Sequence, residues 1–383
     1  MVHRRCMLAA GLTLAMLGTG AARRVAAQSQ APAQAMAPLA SQTGPFRLQE
    51  ANRFDHQATG VAVSPEGRIF VNFPRWTEDA PVSVAEIGKD GALKPYPDEK
   101  WNAWRNTAAS KLSARDHFVC VQSVVADRRG NLWVLDPAAP GMDKVVSDGP
   151  KLVRIDLASN KVAQVIRFGE DVALQGSYLN DVRLHPDGDT AFVTDSGARG
   201  SIVVVDLQKG RAMPRLDGHP STQPEKGVEI SVNGEKLQRP DGRPLQAASD
   251  GIALSEDGRT LFWQALTGRT LYSIDSAALM SDNQDDGARK VVKVGTSCVA
   301  DGLLMSRDGQ LYLTSPEDSS IKVWTGERAE PVIADRRLSW PDSMAEASDG
   351  TIYVTASHLH EMPWFRHGAP TVLPTQLFRL VRS

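Results

Sequence analysis

Six residues recur at the same place in a repeated pattern: Thr59, Gln122, Asn180, Asp250, Asp301 and Asp342. Each opens a segment of similar plan: TGVAVSPEGRIFVNF from Thr59, QSVVADRRGNLWVLD from Gln122, NDVRLHPDGDTAFVTDSG from Asn180, DGIALSEDGRTLFWQ from Asp250, DGLLMSRDGQLYLTS from Asp301 and DSMAEASDGTIYVTA from Asp342. All six openers carry a side-chain oxygen, and three are carboxylates. If the fold brings them together, the carboxylates repel one another and burial disfavours their charged forms further, so the site asks for a cation. An oxygen-only set suits Ca²⁺ better than zinc or copper, with Asn180, Asp250 and Asp301 as the metal ligands. An ammonium group held by the carboxylates and flanked by Trp76 satisfies the same electrostatics. The alternative is that these residues satisfy strand-end backbone groups around a water-filled channel.

The elements that must position them follow from the same segments. Two apolar-alternating runs joined by a turn such as Pro186-Asp187-Gly188 form a β-hairpin, because glycine tolerates positive φ and aspartate bonds its own backbone. Counted between openers, the spacings are 63, 58, 70, 51 and 41 residues, which suits propeller blades with variable insertions. The expected fold is all-β, a six-bladed β-propeller over residues 44–383. Outer strands follow each hairpin, as in KLVRIDL from Lys151 and SIVVVDL from Ser201. FRLQEANRF from Phe46 and LFRLV from Leu377 are suited to share the last blade and close the ring.

The first strand of each hairpin is expected to line the channel, placing its opener at one mouth. Loops after the second strands then return to that face with Arg75, Trp76, Asp136, Asp195, Glu317 and the His358-Leu359-His360-Glu361 run. Two insertions, Tyr96 to Phe118 and Ala212 to Ala248, are long enough to cover a mouth. The HLHE run lacks the helical H-E-x-x-H spacing and a third ligand, so it reads as a polar loop. Trp133, Trp263 and Trp324 lie in strand patterns and read as core.

Residues 1–27 have the arginines, apolar run and small residues of a secretory signal, and Arg4-Arg5 fits a twin-arginine pattern equally with an ordinary signal. The next stretch, 28–43, reads as a disordered leader. Removal of the signal takes away four arginines and no acids, moving the formal charge from −2 to −6. A basic nucleic-acid face is therefore not expected. The mature chain retains Cys120 and Cys298, which precede hairpins on opposite sides of the ring, too far apart to bridge. Two buried free thiols are expected. No G-x-S-x-G elbow, P-loop or dinucleotide fingerprint occurs, so serine hydrolysis, phosphoryl transfer and nicotinamide chemistry have no support.

The chain resembles the insect yellow and major royal jelly proteins and their bacterial relatives. The resemblance is carried by PYPDEKWNAW from Pro95, RRGNLWVLDPAAPG from Arg128, KLVRIDLASNKVAQVIRF from Lys151, AFVTDSGARGSIVVVDL from Ala191 and SDGIALSEDGRTLFWQALTGRTLYSIDSAAL from Ser249. It implies a secreted six-bladed propeller whose activities, as in that family, concern dopachrome conversion or biogenic-amine binding. With two mature cysteines, this sequence departs from the insect members. A more distant resemblance to gluconolactonase and senescence-marker propellers rests on Asn180 and Asp250, which match an Asn and Asp that hold a divalent metal there. The glutamate those enzymes supply from an early blade is replaced by Thr59.

The expected function is an extracytoplasmic propeller that binds, and in an extended form isomerises, a small aromatic or amine compound at the channel mouth. The alternatives are a Ca²⁺-dependent lactonase-like hydrolase and a non-catalytic interaction scaffold. Expected partners are a small-molecule ligand, with no nucleic acid, no stable membrane anchor and a monomeric state.

Overall fold

The repeated hairpins fold as inner halves of blades. The computed structural model describes residues 44–76, 79–142, 144–281, 284–366 and 368–382; the signal and leader expected over 1–43 lie outside the described residues. Among them are six four-stranded antiparallel sheets. The innermost strands are Val61–Val63, Ser123–Ala126, Leu179–Leu184, Ser249–Leu254, Leu303–Met305 and Pro341–Glu346. These touch one another in cyclic order, the sixth against the first, which makes the assembly a closed six-bladed β-propeller.

Each hairpin turns where its sequence expects. At Gly188, φ is 76° and its N–H donates to the His185 carbonyl at 2.9 Å, a turn that a Cβ would strain. Asp187 Oδ1 accepts from the Asp189 N–H at 2.8 Å, bonding its own turn.

The second strands, such as Asn131–Asp136 and Thr190–Asp195, are buried almost throughout because each blade is sandwiched between two others. The core accordingly divides by blade interface. Phe70, Val124 and Leu132 join blades one and two, and Leu135, Val182 and Val203 join two and three. Phe192, Ile252 and Trp263 join three and four. At the join between blades six and one, Phe54, Val61, Val71 and Leu377 pack together. No blade buries its faces alone, so the ring must close for any of them to be stable.

Closure occurs as the sequence suggests. Phe46–Phe54 pairs antiparallel with Thr375–Arg382, forming the outer edge of the sheet begun by Pro341–Glu346 and Ile352–Ala356. Phe46, Leu48 and Phe54 turn inward and are buried, while the residues between them are mostly exposed. The last blade is thereby made from both ends of the described chain.

A further apolar cluster lies over one mouth of the ring, where the insertions supply Trp104, Ile230, Val232 and Leu237 beside Trp76, Tyr178 and Trp340. The second insertion is more ordered than its weak periodicity suggests. It contains the outer strand Arg211–Arg215 and a small hairpin, Ser231–Val232 with Glu235–Lys236. Cys120 and Cys298 are buried free thiols. No described helix is long and apolar enough to cross a membrane.

Candidate functional site

Backbone bulges build the site. In blades three, four and six the innermost strand shifts register between Leu179 and Val182, Ser249 and Ile252, and Pro341 and Met344. Two residues there face one on the partner strand, and bulges of this kind re-aim side chains. The re-aimed residues include Asn180, Asp250 and Asp342. Threonines hold the arrangement: the Asp181 N–H donates to Thr194 Oγ1 at 3.1 Å, and that hydroxyl donates onward to the Asp250 carbonyl of the next blade at 2.7 Å. Thr355 repeats the device, accepting from Ser343 N–H at 3.1 Å and donating to the Thr59 carbonyl across the closure.

Gln122, Asn180, Asp250, Asp301 and Asp342 line one cavity of about 280 Å³ at this mouth. Its walls are aromatic and apolar, including Trp76, Tyr178, Trp364, Phe365, Leu266 and Leu359. Thr59, also expected there, is not part of it. Blade one has no register shift, and the buried Thr59 hydroxyl accepts from Asn72 Nδ2 at 2.9 Å and donates to the Gln122 carbonyl at 3.3 Å. That opener is a strand-end brace.

Of the returning loops, Trp76 and Leu359 reach the cavity wall, and the other expected residues do not line it. Arg75 is fully buried and donates to the carbonyls of Ala80, Phe118 and Asn102. Asp136 accepts from the N–H groups of Val119 and Cys120 and pairs with the buried Lys151 at 3.0 Å. Asp195 caps Tyr178 N–H at 2.8 Å, and Glu317 pairs with Arg269 at 2.7 Å. The HLHE run is a short 3₁₀ turn, with His358 Nε2 3.1 Å from Gln376 Oε1 and His360 stacked on Trp340. Trp133 and Trp263 are core, whereas Trp324 is half-buried.

A chain of hydrogen bonds runs around the mouth with its donors oriented one way. Trp76 Nε1 donates to the Tyr178 hydroxyl at 2.6 Å, which donates to Gln122 Oε1 at 2.9 Å. Gln122 Nε2 donates to Asn180 Oδ1 at 3.2 Å, and Asn180 Nδ2 to Asp250 Oδ2 at 2.8 Å. Asp250 in turn shares a hydrogen bond with Asp301, whose Oδ2 also accepts from Trp340 Nε1 at 2.5 Å. Asp301 is thus the terminal acceptor.

This direction sorts the three carboxylates. Burial, then the charges of Asp301 and Asp342, push Asp250 well above the ordinary carboxylate range. Asp342 is likewise raised by burial and by Asp301. Burial also raises Asp301, but the donors Trp340 and Asp250 restrain it to about 6. Burial and mutual repulsion thus disfavour charge on all three acids, and least on Asp301. None of the three has an ion-pair partner among the described residues. Asp181, below them in the channel, is already matched by Arg183 at 2.8 Å and by the Ser123 hydroxyl at 2.7 Å. Burial keeps the Tyr178 phenol protonated, as its donor role requires.

The fit to a metal is poor. The donors are oxygens, as Ca²⁺ prefers, but the described residues contain no group of three or more His, Cys, Asp or Glu placed to hold an ion. Asn180 turns its Nδ2, a donor, toward Asp250, and its Oδ1 is engaged by Gln122 Nε2.

Tyr178, Trp340, Trp364, Phe365 and Arg239 belong to this mouth and were not singled out from the sequence. A signal existed for two of them: Tyr178 and Trp340 each stand two residues before an opener, Asn180 and Asp342. Trp340 has a left-handed backbone, φ 56°, held by a Ser357 N–H bond to its carbonyl at 3.0 Å. Such conformations collect at functional sites.

Comparison with known proteins agrees with this architecture. In fold, the chain is similar to a luciferin-regenerating enzyme, with TM-score 0.54 and 10% identity over 88% of this chain and 95% of that one. It is similar to a gluconolactonase from Xanthomonas campestris, with TM-score 0.52 and 13% identity over 88% and 90% of the two chains. A calcium-binding protein, regucalcin, from Agrobacterium tumefaciens gives TM-score 0.51 and 13% identity over 87% and 94%. In sequence, yellow of Drosophila melanogaster is 29% identical over 87 residues, 21% of this chain but only 15% of that protein's length. The major royal jelly protein family model matches residues 119–364, which takes in five of the six openers and most of the cavity wall. By that match, which spans well over half of its length, the chain belongs to the major royal jelly protein family.

Proposed function

We propose that the cavity binds a small aromatic amine in its protonated form. The observation that carries this reading is the unpaired acidic floor of Asp250, Asp301 and Asp342 beneath walls of Trp76, Tyr178, Trp364 and Phe365. The acidic floor attracts an ammonium, and aromatic faces add cation–π attraction and ring contact. The cavity lies near the lower end of the roughly 300–1,000 Å³ usual for ligand pockets, which suits a one- or two-ring compound.

The same floor supports isomerisation as an extension. Asp301, as carboxylate, takes a proton from an acidic C–H of the ligand, while Asp250 returns its own proton to another atom of the same ligand. No oxidant or water is consumed, and passage of the shared proton from Asp301 to Asp250 restores the pair. Tryptamine titration by calorimetry tests the binding: the native protein should bind it, and Asp301→Asn should weaken it about tenfold or more. Equal affinity in both would remove the reading.

A Ca²⁺-dependent lactonase-like hydrolase is the second reading, favoured only by the oxygen-only convergence of Gln122, Asn180, Asp250 and Asp301. Thermal melting separates the two. The amine reading expects no change with millimolar calcium or a chelator, whereas a specific calcium site would raise the melting temperature by mass action.

A further inference from the structure

The acidic floor has a cationic counterpart in the same cavity. Arg239 stands on a tight turn of the second insertion, its N–H donating to the Arg243 carbonyl at 2.8 Å and its carbonyl accepting from Gly242 N–H at 2.9 Å. Its side chain lines the cavity, with the guanidinium 5.2 Å from the centre of the Trp364 ring. Trp364 is itself braced edge-on by Phe365 at 5.1 Å.

Arg239 makes no ion pair among the described residues. The acid nearest in sequence, Asp241, is engaged by Arg243 through Nε at 2.8 Å and Nη2 at 2.5 Å. A guanidinium lying over an aromatic ring keeps its in-plane N–H donors available, and that planar fork matches a carboxylate through two parallel bonds. The cavity therefore carries both signs of charge, with the three acids and Arg239 lining one space of about 280 Å³ among its aromatic walls.

We propose that Arg239 is a specificity-determining residue that binds a carboxylate on the ligand, so that the cavity selects aromatic amino acids, carrying both ammonium and carboxylate, over the corresponding decarboxylated amines. This rests on the amine reading of the floor and adds the second pole. An amino acid, whose ammonium and carboxylate share one carbon, offers a partner to each sign of charge in that space. A simple amine places no group against Arg239, and an aromatic acid lacking the amine leaves the floor unmatched.

Calorimetric titration of tryptamine, L-tryptophan and indole-3-propionate into the native protein, Arg239→Gln and Arg239→Lys tests it. The native protein should bind L-tryptophan about tenfold or more tighter than tryptamine. Arg239→Gln should abolish that preference by weakening L-tryptophan about tenfold more than tryptamine. Arg239→Lys, which keeps the charge without the fork, should fall between. Thermal melts on the same samples guard against misfolding, which would weaken all ligands together. If tryptamine binds and L-tryptophan binds no better, or if the ratio survives Arg239→Gln, the carboxylate role is overturned while the amine reading stands. If the folded native protein binds neither tryptamine nor L-tryptophan, the amine reading itself fails and the role of Arg239 falls with it.

Discussion

At the scale of single residues, direction of donation matters more than the number of acids. Asp250 and Asp301 are both buried carboxyls in one cavity, yet they differ because the charge of Asp301 raises Asp250 while donation from Trp340 restrains Asp301. Asp250→Asn removes a carboxyl whose charge is disfavoured by burial and by Asp301, so the ligand-free protein should melt at the same temperature or slightly higher. Tryptamine affinity should still fall, because the amide is a weaker proton source and partner. A loss of several degrees in melting with normal binding would make Asp250 a strand brace like Thr59. Lys151 is the converse case, since its ammonium is buried against Asp136 and also donates to the Ala114 and Gly149 carbonyls. Lys151→Met should cost about 3–5 kcal/mol in denaturant titration, because Asp136 is left buried without its counter-charge. A loss under about 1 kcal/mol would show that the backbone N–H groups on Asp136 suffice.

At the scale of elements, the blade and its bulge divide the labour. The sequence pattern made the hairpins legible because alternation and turns ending in glycine are local signals, and every blade follows them. It placed five of the six openers at one mouth for the same reason. It did not distinguish Thr59, because what turns that residue aside is long-range: its hydroxyl accepts from Asn72 Nδ2 and donates to the Gln122 carbonyl of the next blade. Arg239, Trp364 and Phe365 were equally illegible, since they come from turns outside the repeated hairpins, with no strand alternation to mark where they face. The closing strand was legible, and it makes a demand. Deleting Phe46–Phe54 removes the buried Phe46, Leu48 and Phe54, each contributing about 1.5–3 kcal/mol, and bares the edge of Thr375–Arg382. The shortened protein should melt at least several degrees lower or fail to fold. Unchanged melting would mean that the last blade closes without it.

At the scale of the whole molecule, six interblade cores carry the stability and leave the mouth free to hold an unfavourable set of acids. Raised carboxyl pKa values have a definite sign in stability. For Asp301, held at about 6 in the fold, the contribution is complete below the unfolded value of about 3.8 and is lost as pH rises through about 6. The ligand-free protein should therefore lose stability between about pH 4 and 7, the range in which the floor gains its charge. An ammonium ligand should reverse this, because it binds the charged form. The most direct measurement of the central claim is the affinity for tryptamine, and the melting temperature without it, on the same samples from pH 5 to 8. The acidic-floor account predicts that affinity rises through about pH 6 while the ligand-free melting temperature falls, with both trends flattened in Asp301→Asn; an affinity independent of pH in the native protein would contradict it.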